Sequence, residues 1–217
     1  MSTSKCIFCA RVLASSQVPT EIASPTLQER KQQLVRDAIW RAATDLFAEK
    51  GYDETTVEDI AKKAGVSRRS FFRYFSSKSD LMAHGTVNYG HFVVETLESL
   101  PKRYPLPRVF RETVLRIAQA SAADPHTRRI MEIAARYPAA RAAQLAKMVE
   151  VHDRVAEAFA RRTGPGRESS STPGILAGLT ISVLAVIFRT WFEQGRKDIS
   201  MAAEGVLATL GKLACEK

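Results

Sequence analysis

The chain has 217 residues, of which 45% are hydrophobic and 25% are charged, and this composition excludes disordered, collagen-like and low-complexity proteins. The formal net charge of +9 predicts an anionic partner, such as nucleic acid, a membrane surface or a phosphorylated ligand. Three cysteines are too few for a disulfide framework, so we expect a reducing, cytoplasmic location.

Residues 1–26 are expected to form a flexible arm, because this stretch contains Pro19 and Pro25 and precedes the first helical pattern. Within it, Cys6 and Cys9 form a lone CxxC. A zinc site needs two further ligands, and a redox motif normally lies beside a βαβ unit. We therefore favour two incidental thiols over a metal or redox role.

From Leu27 onward the pattern is helical. Gly51 is expected to end the first helix, and Thr56-x-x-Asp59 predicts a capping box at the start of the second. A third helix is expected near Ser67 and a fourth after Ser77. In the first helix, apolar residues recur at spacings of four, three and four, at Val35, Ile39, Ala42 and Leu46.

Three prolines then break the chain, and five further helices are predicted, at 108–123, 126–136, 138–162, 174–194 and 200–214. The fold class is therefore all-α. An N-terminal three-helix domain (27–83) is joined to a helical C-terminal domain (84–217). The most apolar run, residues 174–188, is about 15 residues long and a membrane span needs roughly 20, so we predict a buried helix and no membrane.

The segment 56–78, TVEDIAKKAGVSRRSFFRYFSSK, has the spacing of a helix–turn–helix. Ala61 supplies the small residue where the two helices cross. Gly65 supplies the residue that tolerates a positive φ in the turn. Val66 then follows as an apolar plug, and Ser67 can cap the next helix.

Helical geometry sorts the third helix into two faces. Phe71 and Phe75 share the inward face, whereas Arg69 and Arg73 point outward. Arginine can bind guanine O6 and N7 in the major groove, so this face is suited to DNA. A solvated basic face is the alternative. The segment holds six basic residues and no acid after position 61: Lys62, Lys63, Arg68, Arg69, Arg73 and Lys78.

The segment resembles the DNA-binding domain of TetR-type repressors. It matches that pattern at Thr56, Val57, Ile60, Ala61, Ala64, Gly65, Val66, Ser67, Ser70, Phe71, Tyr74, Phe75, Lys78 and Leu81. The resemblance implies a homodimer on double-stranded DNA, with recognition helices about one DNA turn apart, roughly 34–36 Å.

The resemblance also implies which residues bind DNA. Phosphate contacts are expected from Thr56, Tyr74 and Lys78, and base contacts from Arg68, Arg69, Ser70 and Arg73, with Ser67 as the helix cap. The family commonly has tyrosine at position 72. Phe72 lacks that hydroxyl, so any role there would be apolar, such as contact with a thymine methyl group.

In TetR-type proteins the C-terminal body binds a small ligand, and its last two helices form the dimer. Residues 128–143 and 189–195 resemble, more weakly, an actinobacterial subset associated with acyl-CoA-like ligands. Between residues 101 and 167 there are 14 Lys and Arg but only six Asp and Glu. A solvated basic surface is the simpler explanation of this charge, and an anionic ligand is the alternative. Arg189 is expected to meet a ligand phosphate or carboxylate, or Glu193 at the dimer interface. If the body holds an acyl chain, the hypothetical apolar lining is Phe92, Phe110, Met131, Met148, Phe159 and Trp191, although plain core packing is the simpler interpretation of each.

We predict no catalytic residues, cofactor or metal site. His84 and His91 could share one face of the fourth helix, but Glu95 is the only acid nearby. The sequence thus predicts a ligand-responsive, sequence-specific DNA-binding regulator, a repressor that a small effector releases from its operator. The alternatives are a DNA-binding regulator without a ligand and a helical-bundle enzyme with a CoA substrate.

Overall fold

A computed structural model describes residues 26–163, 171–195 and 198–215. Two compact units are distinguished, one ending at Val35 and the other running from Arg36 to Lys217. Over the described ranges the secondary structure consists of helices and no strands, which confirms the all-α prediction. The helices are α1 (Leu27–Lys50), α2 (Val57–Lys63), α3 (Arg68–Tyr74), α4 (Lys78–Ser99), α5 (Leu106–Ala123), α6 (Pro125–Arg136), α7 (Pro138–Leu145), α8 (Met148–Thr163), α9 (Thr172–Glu193) and α10 (Ile199–Cys215).

The described part of the first unit is the start of α1, and Thr26 caps it. The Thr26 hydroxyl accepts a hydrogen bond from the Glu29 amide at 3.2 Å. The Glu29 carboxylate in turn accepts from the Thr26 amide at 2.7 Å and from its hydroxyl at 2.9 Å. These bonds lower the pKa of Glu29. Of the arm expected over residues 1–26, Thr26 belongs to this cap, and the rest, with both Cys6 and Cys9, lies outside the described residues.

The predicted helix boundaries near the helix–turn–helix are confirmed. Gly51 ends α1 with a φ of +92° and Gly65 makes the α2–α3 turn with a φ of +69°, a conformation that favours glycine. Thr56 and Asp59 form the expected capping box, with bonds of 3.1 and 3.3 Å. At α4 the Ser77 hydroxyl accepts from the Asp80 amide at 3.1 Å.

One helix boundary was predicted wrongly. The single helix expected over 138–162 is two helices, α7 and α8, separated by a turn at Ala146 and Lys147. The Lys147 amide donates to the Gln144 carbonyl only three residues back, at 3.1 Å, and this tight turn interrupts the α-helical bonding. Neither a glycine nor a proline marks the break, so the residue types do not indicate it.

The core of the second unit forms where α4, α5, α8, α9 and α10 meet. Among these, α9 is 22 residues long and apolar enough to cross a membrane by length and composition, so the sequence-based length argument against a span was wrong. Core helices of soluble proteins pass the same test. Here 39% of the most apolar window is buried, and the helix packs against α5, α8 and α10, so only part of the predicted buried helix is covered within the described residues.

Candidate nucleic-acid interface

The helix–turn–helix is held by one buried side of α3. Phe71 and Phe75 are 0% and 2% exposed, and on α2 the side chains of Ile60 and Ala61 are also buried. The Val66 amide donates to the Ala61 carbonyl at 2.9 Å, which fixes the turn between the helices. Because both phenylalanines point inward, the opposite side of α3 is presented to solvent.

That exposed side carries the residues predicted to read bases. Arg69, Ser70, Phe72 and Arg73 together line a shallow concavity of about 400 Å³. Phe72 is 46% exposed, so part of its ring is accessible on this side of α3. Arg69 has no hydrogen-bond or ion-pair partner within the described ranges, so all five of its N–H donors remain available to an acceptor.

Arg68 lies beside this concavity and is held by an acid that the sequence analysis missed. Its Nε donates to Glu58 Oε1 at 3.0 Å, and its guanidinium lies 5.5 Å from the centre of the Phe72 ring. The Glu58–Arg68 pair is well exposed and therefore weak. Glu58 belongs to α2, before the acid-free segment, and no feature of the sequence indicates the contact.

Two arginines lie beside Tyr74. Arg73 donates to the Tyr74 hydroxyl at 3.2 Å and lies 4.9 Å from the ring centre. Arg36, which the sequence analysis also missed, lies 6.0 Å from the same ring and comes from α1. This concentration of positive charge suits a phosphate group next to the tyrosine hydroxyl.

The remaining predicted DNA contacts already have partners in the protein. The Ser67 hydroxyl accepts from the Ser70 amide and donates to its hydroxyl, both at 3.0 Å, so the predicted cap is confirmed. The Lys78 ammonium donates to the backbone carbonyls of Tyr52 at 2.8 Å and Asp53 at 3.1 Å. Lys78 therefore ties the start of α4 to the segment after α1, a role that the sequence did not predict.

The residues predicted to line an effector site fall into different environments. Phe110, Phe159 and Trp191 share the core of the second unit, and Met131 packs against it. Phe92 is 38% exposed on α4.

The other two of these seven residues lie near or at the surface. Met148 is half-buried at the start of α8, and Arg189 is exposed on α9. No ion pair joins Arg189 to Glu193 in the described part of the chain. The structure therefore brings together three or four of the seven side chains and leaves the predicted cation outside the core.

The histidines singled out in the sequence have separate partners. His84 hydrogen-bonds Asn88 at 3.1 Å, and Arg154 hydrogen-bonds the His91 ring at 2.5 Å. Burial lowers the pKa of His84, and the nearby Arg36 charge acts in the same direction. Within residues 26–163, 171–195 and 198–215, no group of three or more metal-ligating side chains occurs.

A helix–turn–helix with an exposed, arginine-bearing second helix defines a DNA-binding regulator. Residues 39–84 match the sequence profile described as bacterial regulatory proteins, tetR family, and residues 104–213 match that of the MftR C-terminal domain. The chain therefore belongs to the TetR family of bacterial regulatory proteins. Family members are transcriptional regulators rather than enzymes, and they are usually repressors.

Individual proteins agree with this assignment. The chain is 29% identical over 196 residues to the HTH-type transcriptional regulator TcmR of Streptomyces glaucescens, covering 86% of this chain and 87% of TcmR. The fold matches the crystal structure of NalD, the secondary repressor of the MexAB-OprM multidrug efflux pump in Pseudomonas aeruginosa, with a TM-score of 0.61. The two sequences are 22% identical, and the match covers 83% of this chain and 96% of NalD. The fold also matches the SmeT–triclosan complex, with a TM-score of 0.56 and 23% identity. That match covers 82% of this chain and 91% of the SmeT chain.

Proposed function

We propose that this protein is a cytoplasmic repressor that binds a palindromic DNA operator through α3. The observation that carries the proposal is the concavity lined by Arg69, Ser70, Phe72 and Arg73 on the solvent side of α3. In the proposed complex, Arg69 and Arg73 donate to base edges and Phe72 contacts a thymine methyl group. Thr56, Tyr74 and Lys78 contact the phosphates on either side.

We also propose that the repressor is a homodimer formed through α9 and α10. The side of α9 that faces away from the core carries Ile175, 57% exposed, and Val186, 37% exposed. On α10, Met201 is 73% exposed and Leu213 is 66% exposed. A second copy would remove these apolar side chains from water and would place two copies of α3 on one face of the DNA.

A small effector is proposed to bind in the body and release the DNA, and an acyl-CoA-like molecule is the candidate class. Its acyl chain would enter the apolar core around Phe110, Phe159 and Trp191. Its phosphates would remain at the basic surface, where exposed cations such as Arg189 could bind them. Binding would shift the population toward an arrangement in which the two α3 helices no longer match the operator.

A selection of bound sequences from a random DNA pool at physiological salt tests the proposal, with and without long-chain acyl-CoA. We expect a palindrome whose enrichment is lost when acyl-CoA is added. Free CoA and the free fatty acid are the matched controls, because each contains only half of the effector. If the palindrome remains enriched when acyl-CoA is present, the proposed regulator is supported and this class of effector is rejected. A pool without enriched sequences would reject the operator itself.

A further inference from the structure

Among the described residues, only one of the three arginines on α3 is paired with an acid. The Nε of Arg68 lies 3.0 Å from Oε1 of Glu58 on α2. Arg69 has no such partner in the described ranges, and Arg73 is paired with Tyr74 rather than with a carboxylate. An acidic side chain beside a DNA-binding surface repels phosphates and weakens binding to any sequence. Glu58 is therefore expected to have a compensating role.

Two contacts fix the position of the Arg68 guanidinium. The Glu58 carboxylate lies at its Nε edge, and the centre of the Phe72 ring lies 5.5 Å from its central carbon. Phe72 is itself held, because its ring packs edge-to-face against the buried Phe71 with the ring centres 5.4 Å apart. Glu58 lies in the first turn of α2, which the Thr56 capping box anchors. Arg68 is therefore held from two sides, although each exposed contact alone is weak.

The ion pair also determines which donors of Arg68 remain for DNA. No hydrogen bond from its terminal nitrogens, Nη1 and Nη2, occurs in the described part of the chain. These two nitrogens can donate in parallel to O6 and N7 of one guanine. The adjacent carboxylate offsets the charge that would attract Arg68 to any phosphate, so the binding energy of this arginine depends on directional hydrogen bonds to a base. A paired arginine therefore discriminates between sequences better than a free one.

We propose that Glu58 is a specificity-determining residue, which positions Arg68 against Phe72 so that the guanidinium reads a guanine within two base pairs of the thymine that Phe72 contacts. The separation of 5.5 Å between guanidinium and ring spans one to two base-pair steps of roughly 3.4 Å each. Glu58 contacts no base and acts through Arg68. This inference rests on the proposed function, since it assumes that α3 lies in the major groove. It adds a residue outside α3 to those that set the operator sequence.

Operator selection with Glu58→Ala tests this role. The unaltered protein should select a guanine at one position of each half-site. That preference should fall about 3- to 10-fold in Glu58→Ala, because a side chain that is not positioned in advance must be ordered on binding. Arg68→Ala should lose the preference at the same position.

Glu49→Ala is the matched control for this selection. The Glu49 side chain is 59% exposed, against 58% for Glu58, and it pairs with Lys63 at 2.7 Å. Its removal therefore takes away the same charge from the DNA-binding domain and releases one cation, but leaves Arg68 in place. We expect Glu49→Ala to keep the guanine preference.

Affinity for random DNA separates positioning from a simple change of charge. Glu58→Ala should bind random DNA more tightly than the unaltered protein, with a salt dependence that is steeper by about one phosphate contact, because Arg68 is then free to contact the backbone. Discrimination between operator and random DNA should therefore fall while non-specific affinity rises. Glu58→Ala combined with Arg68→Ala should discriminate no worse than Arg68→Ala alone, since Glu58 acts only through Arg68.

Thermal unfolding without DNA checks that the variants fold, and the exposed Glu58–Arg68 pair predicts an unchanged Tm. Glu58→Gln, which keeps the shape of the side chain, replaces Glu58→Ala if the alanine variant has a lower Tm.

Three outcomes would overturn the inference: full guanine preference in Glu58→Ala, an equal loss in Glu49→Ala, or a loss at a position that Arg68→Ala does not affect. If an operator is selected and one of these outcomes is observed, this inference alone fails and the proposed repressor stands. If the unaltered protein selects no sequence, the proposed operator binding fails, and this inference fails with it.

Discussion

Asp45 and Arg129, 84 residues apart, form an ion pair that joins α1 to α6. One residue before Asp45, the Thr44 hydroxyl lies 3.1 Å from Nδ1 of His126, three residues before Arg129. The Trp40 and His126 rings are 6.1 Å apart, centre to centre. Since α1 precedes the helix–turn–helix and α6 belongs to the body, a shift of α6 has a direct mechanical connection to the DNA-binding helices.

We expect Arg129→Ala to reduce the effect of the effector on operator affinity while leaving the affinity of the unliganded protein nearly unchanged. The pair is partly exposed, so its loss should lower the free energy of unfolding by only about 0.5–1 kcal/mol. Operator affinity with and without the releasing ligand is the measurement. Arg128→Ala, at the next position, is the control, and the charge-swapped double variant Asp45→Arg with Arg129→Asp should recover part of the response. A full response in Arg129→Ala would show that coupling takes another route.

Lys78 is predicted to have two measurable roles. Lys78→Ala should reduce the salt dependence of DNA binding by about one phosphate contact. It should also lower the free energy of unfolding by about 1–2 kcal/mol, because two backbone carbonyls lose a charged donor. Urea unfolding without DNA measures the second effect. Lys62→Ala removes an exposed lysine from the same region and should leave unfolding unchanged. Equal stability of the two variants would reject the structural role of Lys78.

The proposed dimer can be tested on α9. Ile175→Glu places a charge in the apolar surface that a second copy would bury, so we expect the dimer to dissociate at micromolar concentration in sedimentation experiments. Val149→Glu is the matched control, because Val149 on α8 is 71% exposed and lies outside the proposed interface. A variant of Ile175 that remains as dimeric as the control would contradict the assignment of this surface.

Asp124 makes the N-terminus of α6 sensitive to acid. Partial burial acts to raise the pKa of Asp124, but hydrogen bonds from the hydroxyl and amide of Thr127 and from the His126 amide outweigh it and hold the pKa below its ordinary 3.8. A lowered folded-state pKa gives stability that is complete above the unfolded value and is lost as the pH falls through the folded value.

We therefore expect Asp124→Ala to cost about 1 kcal/mol in the free energy of unfolding at pH 7, and that difference should shrink below about pH 4. Urea unfolding at a series of pH values measures it. Asp124→Asn is the control, because asparagine caps the helix but does not titrate. The free energies of unfolding of Asp124→Asn and Asp124→Ala should differ by the same amount at every pH. A difference between Asp124 and Asp124→Ala that is as large at pH 2 as at pH 7 would show that the charge does not contribute.

The helix–turn–helix could be predicted from the sequence because its determinants are local. Gly65, Phe71 and Phe75 fix a turn and a buried face within one short segment, and elementary helix geometry then places Arg69 and Arg73 on the other side. The same reasoning fails for contacts between distant segments. Nothing near Arg129 in the sequence indicates Asp45, and nothing in the acid-free stretch indicates Glu58.

The body was predicted less well for a related reason. Apolar side chains are spread over several of its helices, so residue type does not show which aromatic side chains meet. Phe159 and Phe92 are equally plausible core residues by sequence, yet one is fully buried and the other is 38% exposed.

The most direct test of the central claim measures affinity for the selected palindrome and for the same palindrome with five base pairs inserted between its half-sites. A dimer that reads two half-sites one turn apart should lose most of its specific affinity on the insertion, because half a turn moves one half-site to the opposite side of the DNA. Arg69→Ala should lose about 1–3 kcal/mol on the intact site and much less on random DNA. Equal affinity for both spacings, with equal losses on specific and random DNA, would mean that α3 binds without reading sequence and would contradict the account.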